Sequence, residues 1–179
     1  MRAVIVLGIV GFLSAALLVT INNLTTEPIA KAKENAKTKA LQEIFDFEFS
    51  MQDVKQEKTD DAVLYEIKPG GELKAIAVET FTDKGYSGRI DILVGVTPDC
   101  KVTGYKVLTH KETPGLGDKI TKDKFKKQFV GAGLEQNWSV KKDGGFVDSI
   151  TAATISSRAM AEAVHKGLLL VSDKWGCKK

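Results

Sequence analysis

The residues Asp148-Ser149-Ile150-Thr151-Ala152-Ala153-Thr154-Ile155-Ser156-Ser157-Arg158 have types and spacing suited to holding a phosphate. Ala152 and Ala153 are small enough to leave the backbone and the Thr154 hydroxyl open to a large partner. Ser156 and Ser157 are favourable N-cap residues for the helical pattern that follows, which would put Thr154 next to a helix N-terminus. Free amide N–H groups and the positive end of the macrodipole gather there and favour a phosphate. The same residues are equally compatible with a plain capped helix start over small packing residues.

A second stretch, His110-Lys111-Glu112-Thr113-Pro114-Gly115-Leu116-Gly117, falls between a strand-like and a helix-like run. It combines a rigid proline with two permissive glycines. Such a loop lets the backbone come close to a flat ligand and offers it N–H donors, although a simple turn has the same composition. The stretch has neither GxGxxG spacing nor a GK[ST] ending, so dinucleotide and P-loop nucleotide binding find no support.

Composition narrows the chemistry further. The chain has 179 residues, the size of one modest domain, and a net charge of +3 from 26 basic and 23 acidic residues. No basic run is interleaved with aromatics, so there is no nucleic-acid signature. Cys100 and Cys177 are the only cysteines and His110 and His165 the only histidines. A structural zinc or an iron–sulfur cluster needs about four ligands, so no metal centre is expected. The two cysteines are compatible with a disulfide or with two free thiols.

The elements that would position these residues start at an apolar N-terminus. Ala3 to Ile21 carries no charge and, at about 1.5 Å per residue, spans roughly one hydrocarbon core. It is longer than the apolar part of a signal peptide, about 7–15 residues, and no small-x-small cleavage site follows. We therefore expect a single membrane anchor over 1–24. Counted literally, Arg2 against Lys31, Lys33, Lys37 and Lys39 would leave the remaining domain in the cytoplasm. Thr26-Glu27-Pro28 reads as a helix start, followed by Ile29, Ala32, Ala36, Ala40, Leu41 and Ile44 at helical spacing. Residues 52–61 read as polar linker, so 25–61 is expected to connect the anchor to the domain.

Residues 62–179 are expected to form that domain. Runs at 62–67, 73–81, 90–96 and 102–108 read as four strands separated by turn chemistry at Pro69-Gly70-Gly71, Gly85-Tyr86-Ser87-Gly88 and Pro98-Asp99-Cys100. Residues 118–130 read as a basic amphipathic helix burying Ile120, Phe125 and Phe129. Trp138 to Val140 reads as a short strand, and 157–173 as a last helix. The expected fold is α+β, a mainly antiparallel sheet with flanking helices behind an N-terminal transmembrane helix.

Together, Glu112-Thr113-Pro114-Gly115-Leu116-Gly117, the Asp148-x-x-Thr151-Ala152-Ala153-Thr154-x-Ser156 stretch and the Gly85-Tyr86-Ser87-Gly88-Arg89-Ile90 break resemble the FMN-binding domain of Rnf and Nqr electron-transport complexes. Within that family the Rnf branch is the nearest match, and the resemblance runs over nearly the whole chain. It implies one FMN attached covalently through its phosphate to Thr154, with Asp148, Thr151 and Ala153 as the other motif positions. It also implies that Thr113, Pro114, Gly115, Leu116 and Gly117 lie against the flavin, with Glu112 and the Tyr86 region as further candidates. The bond would be made by a separate flavin transferase with FAD as donor, so no catalytic residue is expected here. Arg158 would pair with the phosphate or with a surface carboxylate.

The implied activity is electron relay within a membrane-bound, ion-translocating ferredoxin:NAD oxidoreductase, among other membrane subunits and with the soluble domain outside the cytoplasm. A membrane-anchored binding module and a stand-alone extracytoplasmic flavin reductase are the alternatives. The chain departs from the family at Ala152, where the pattern has glycine. That difference matters if the position needs a positive φ.

Overall fold

The computed structural model describes residues 2–59 and 62–176. The chain divides into two compact units, Met1–Lys37 and Thr38–Lys179. The first helix, α1 (Arg2–Ile44), runs through the described residues of the first unit and into the opening of the second.

Within the first unit, Ala3–Ile29 is a 27-residue helical stretch whose most apolar 18 residues have a mean hydropathy of 2.8 and no buried share. It is long and apolar enough to cross a membrane, being about 40 Å at the helical rise. No new helix begins at Thr26. The Thr26 hydroxyl donates to Asn22 O at 2.6 Å and Thr25 to Ile21 O at 2.9 Å, and Pro28 lies inside α1. The threonines bond back along the helix, as they do in helix interiors, so the expected cap at Thr26 is not formed.

The second unit is built on a five-stranded antiparallel sheet: β1 (Val54–Lys58), β2 (Val63–Ile67), β3 (Ala75–Gly85), β4 (Gly88–Val96) and β5 (Val102–Thr109). The strands pair in chain order. Side chains alternate between two cores, as a period of two requires. Ile76, Val78, Ile90, Ile92, Val94 and Val96 face one core, shared with Met160, Val164, Leu168 and Val171 of the last helix. Tyr65, Ile67, Ala75, Ala77 and Leu93 face the other, closed by Ala40, Leu41, Ile44 and Phe45. With both faces covered, the central strands read as nearly continuous apolar runs.

Two elements differ from the sequence expectation. Residues 54–58 are not linker but strand β1, with Val54 opposite Ile67 and Lys58 opposite Val63. As an edge strand it keeps most of its side chains exposed, so it shows no apolar pattern. The stretch 118–130 is not one helix. It breaks into a 3₁₀ turn at Gly117–Thr121, the single α-turn α2 (Asp123–Lys126) and a second 3₁₀ turn at Lys127–Phe129. Ile120, Phe125 and Phe129 are still buried, and Phe129 packs edge-on to Tyr105 with ring centroids 5.4 Å apart. Of the expected strand at 138–140, only Val140 pairs, through a parallel bridge to Val147.

The last helix, α3 (Thr154–Trp175), crosses the sheet over β3 and β4. Gly167 allows the close approach, since a Cβ there would come within 3.1 Å of Val94 Cγ2. Cys100, in the turn between β4 and β5, is disulfide-bonded; the chain's other cysteine, Cys177, lies outside the described residues.

Candidate cofactor site

Thr154 is the first residue of α3, and Ala153, with φ −138° and ψ 43°, is its N-cap. Ser156 and Ser157 are therefore not caps but lie inside the first turn, 1% and 0% exposed. The Ser157 hydroxyl donates to Ala153 O at 2.9 Å and accepts the Ile150 N–H at 2.9 Å, tying the approach segment to the helix. Ser157 N–H reaches Ala153 O at 3.1 Å. The amides of Thr154, Ile155 and Ser156 precede it in the turn, where no helical acceptor exists.

Just before the helix the chain turns sharply. Ala152 has φ 62°, and Cys100 is the only other non-glycine residue with positive φ among the described residues. The left-handed conformation costs an L-residue about 1–2 kcal/mol. The position where the family pattern carries glycine is thus one whose backbone favours glycine. Ala152 is exposed, so its methyl meets no packed neighbour, but the backbone cost remains.

The second wall comes from the loop after β5. Thr113 O accepts the Leu116 N–H at 3.2 Å, with Pro114 and Gly115 between them and Gly115 at φ 77°. Proline second and a positive-φ glycine third is the pattern of a type II turn. The turn carries Leu116 and Gly117 back toward α3. A Cβ at Gly117 would lie 2.3 Å from Glu112 Oε2 and 2.7 Å from Ser156 Oγ, so only glycine allows loop and helix to meet there.

The third wall is the tight turn joining β3 to β4, where Gly85 and Gly88 pair across Tyr86 and Ser87. Tyr86 stands 68% exposed at its tip. The Ser87 N–H donates to Glu112 Oε1 at 3.0 Å.

These segments enclose a pocket of about 550 Å³ lined by Tyr86, Glu112, Thr113, Leu116, Gly117, Ala152, Ala153, Thr154, Ile155 and Ser156. Its size is that of an ordinary small-molecule site. Tyr86, Leu116 and Ile155 give it exposed apolar walls, and the first turn of α3 gives it a polar end.

Not every candidate residue reaches the pocket. Pro114 and Gly115 shape the loop without lining it, and Thr151 is exposed outside it. Asp148 also lies apart: it pairs with Lys141 Nζ at 2.8 Å, and its N–H donates to Gln128 Oε1 at 2.7 Å. It holds the approach to α3 in place. Arg158 makes a two-pronged pair with Asp143, at 2.6 and 2.9 Å, so a surface carboxylate is its partner. That contact holds the Asp143 carboxyl below the usual carboxylate range. Ile155 lines the pocket although it is not among the sequence candidates; the cap-like serines that follow it disguise its place in the first turn.

This constellation sits within residues 85–169, which match the FMN-binding domain family. Among its relatives, the G subunit of the ion-translocating oxidoreductase complex of Pseudomonas aeruginosa (strain UCBPP-PA14) is 32% identical over 185 residues, covering 94% of this chain and 86% of that protein. The corresponding protein of Shewanella loihica is 35% identical, covering 90% and 84%. That of Aliivibrio fischeri (strain MJ11) is 43% identical over 111 residues, 59% of this chain and about half, 53%, of its own length. The chain belongs to this family, the G subunits of ion-translocating oxidoreductase complexes. The fold is similar to that of NqrC from Shewanella oneidensis, with a TM-score of 0.52 and 23% identity over 74% of this chain and 76% of that one.

The residues present fit an FMN. Its phosphate needs N–H donors, which the first turn of α3 offers. Its flat ring needs apolar walls and close backbone approach, which Tyr86, Leu116, Ile155 and Gly117 supply. Among the described residues no cluster of three or more His, Cys, Asp or Glu could hold a metal ion.

Proposed function

We propose that this chain is the electron-transfer subunit of a membrane-bound, ion-translocating ferredoxin:NAD oxidoreductase complex, carrying one FMN bound covalently through its phosphate to Thr154. The observation that carries the reading is the meeting of Thr154, at the start of α3, with the Thr113–Gly117 loop around one pocket. Bound there, FMN supplies the redox chemistry.

Each residue then has a task. Thr154 Oγ1 is the attachment atom. In maturation, a flavin transferase passes the FMN moiety of FAD to that oxygen; the phosphoester forms, the pyrophosphate bond breaks, AMP leaves and the hydroxyl proton is lost. The amides of Thr154, Ile155 and Ser156 hold the phosphate oxygens. Tyr86, Leu116 and Ile155 exclude water from the ring, and Pro114 and Gly115 set the loop's curvature. Ala153 is the small N-cap that leaves the phosphate room. Asp148 and Thr151 keep the approach segment exposed to the transferase. A tether holds the group at high effective concentration and prevents its loss.

We place the soluble domain outside the cytoplasm, with 1–24 as its single-pass anchor; the FMN-binding domain expected over 62–179 reaches further back, taking in strand β1 and the end of α1, so the connecting segment is shorter than 25–61. The Cys100 disulfide favours that side, because disulfides persist in oxidising compartments. The lysines after the anchor count the other way, but long domains translocate largely regardless of charge. Other membrane subunits complete the complex.

The deciding experiment is co-expression of the full chain with a flavin transferase, then denaturing electrophoresis read by flavin fluorescence and intact mass. Wild-type protein should carry the mass of one FMN and Thr154→Ala should carry none. An unmodified wild type would sink this reading.

A further inference from the structure

Glu112 is 4% exposed, and both of its carboxylate oxygens are spent on groups far away in the chain. Oε1 accepts the N–H of Ser87, 25 residues away, at 3.0 Å. Oε2 accepts the hydroxyl of Ser156, 44 residues away, at 2.5 Å. The Glu112 N–H in turn donates to His110 Nδ1 at 3.1 Å.

Two glycines make room for this carboxylate. A Cβ at Gly85 would approach Oε1 to 2.8 Å, and one at Gly117 would approach Oε2 to 2.3 Å. The β3–β4 turn, the loop after β5 and the first turn of α3 thus converge on one side chain. Ser156 lies two residues beyond Thr154, so its anchor fixes the turn that presents the Thr154 hydroxyl. Of the hydroxyls lining the pocket, on Tyr86, Thr113, Thr154 and Ser156, that of Ser156 has its only proton committed to Glu112.

We infer that Glu112 is a positioning residue: it does not bind the cofactor but locks the three pocket walls together through Ser87 and Ser156, so that Thr154 is presented for modification and the ring is held in one orientation. The inference rests on the FMN reading above. It separates Glu112, whose two oxygens are both taken, from Thr113 and Leu116, whose side chains line the same pocket and are exposed.

The test uses the full chain co-expressed with the transferase, as wild type, Glu112→Gln, Ser156→Ala and the double variant. The rate of flavin loading is followed by in-gel fluorescence, and the bound flavin by its visible circular dichroism. Hydrogen bonds to a charged group are strong enough that each single variant should load about tenfold more slowly or worse, with an altered dichroism band. Because Ser156 acts through its bond to Glu112, the double variant should be no slower than Glu112→Gln alone.

Wild-type rate and dichroism in the folded single variants would overturn the inference. So would a double variant whose defect is the product of the two, since Ser156 would then not act through Glu112 and the lock between loop and helix would be absent. If Glu112→Gln does not fold, Ser156→Ala alone decides by the same two readouts. An unloaded wild type would instead remove the FMN reading and this inference with it.

Discussion

Trp138 and His165 stack almost parallel, with ring centroids 5.3 Å apart and 2° between their planes. The contact joins the segment after β5 to the middle of α3, the helix that carries Thr154. Burial lowers the His165 pKa from its ordinary 6.5, because a charged imidazole is poorly solvated there. Below pH 6.5 the unfolded chain therefore binds the proton more readily than the folded one, and stability falls with pH until the folded histidine protonates too. Thermal unfolding between pH 7.5 and 5.5 should show this loss in the wild type. It should be smaller in His165→Phe, which keeps a ring against Trp138 but cannot titrate.

Ala152→Gly should stabilise the protein. The left-handed φ of 62° at Ala152 costs about 1 kcal/mol or more for a residue with a Cβ, and glycine's extra unfolded-state entropy offsets only part of that. A gain of about 0.5 kcal/mol in urea unfolding is expected, with flavin loading undiminished. A loss of stability would mean that the turn does not hold that conformation in solution.

Gly117→Ala should act in the opposite direction. The new methyl would collide with Glu112 Oε2 and Ser156 Oγ, and overpacking of this kind costs about 1–3 kcal/mol. The same substitution pushes the loop off α3, so flavin loading should fall along with the unfolding midpoint.

The two threonines of the motif should separate cleanly. Thr151 is exposed outside the pocket while Thr154 begins α3 and lines it. Peptide mapping of flavin-labelled protein should find the label on Thr154 alone. Thr151→Ala should still load, and Thr154→Ser, which keeps a hydroxyl at the same place, should load in part. A label on Thr151 would contradict this assignment.

Reduction of the disulfide at Cys100 should lower the stability of the domain by about 2–4 kcal/mol, the usual worth of such a link. Unfolding with and without dithiothreitol, with thiol alkylation read by mass, measures it. Recovery of the disulfide in protein taken directly from intact membranes would support an oxidising location.

What can be read from the sequence depends on whether a signal is local. Strands β2 to β5 are legible because their apolar runs are bounded by strong turn residues such as Pro69-Gly70-Gly71 and Gly85-Tyr86-Ser87-Gly88. β1 is not, because Lys55, Gln56, Glu57 and Lys58 sit on an exposed edge where nothing demands an apolar pattern. Ser156 and Ser157 look like caps and shift the apparent start of α3, yet their hydroxyls are claimed by Glu112 and by Ala153 O and Ile150 N–H. Residues 118–130 read as one helix because burial of Ile120, Phe125 and Phe129 sets the pattern, whatever turns connect them. The role of Glu112 cannot be read at all, since it depends on contacts across 25 and 44 residues.

The chain-order pairing of β1 to β5 also fixes when the pocket can exist. A sheet of that topology can close progressively as a growing chain emerges, from its N-terminal side onward. The helix that begins with Thr154 comes last and has nothing to dock against until the sheet is complete. Premature chains therefore lack the helix turn that holds Thr154 and the pocket wall it forms. On the proposed attachment at Thr154, cofactor loading would be conditional on a finished fold, and a truncated or stalled product would escape being equipped for electron transfer.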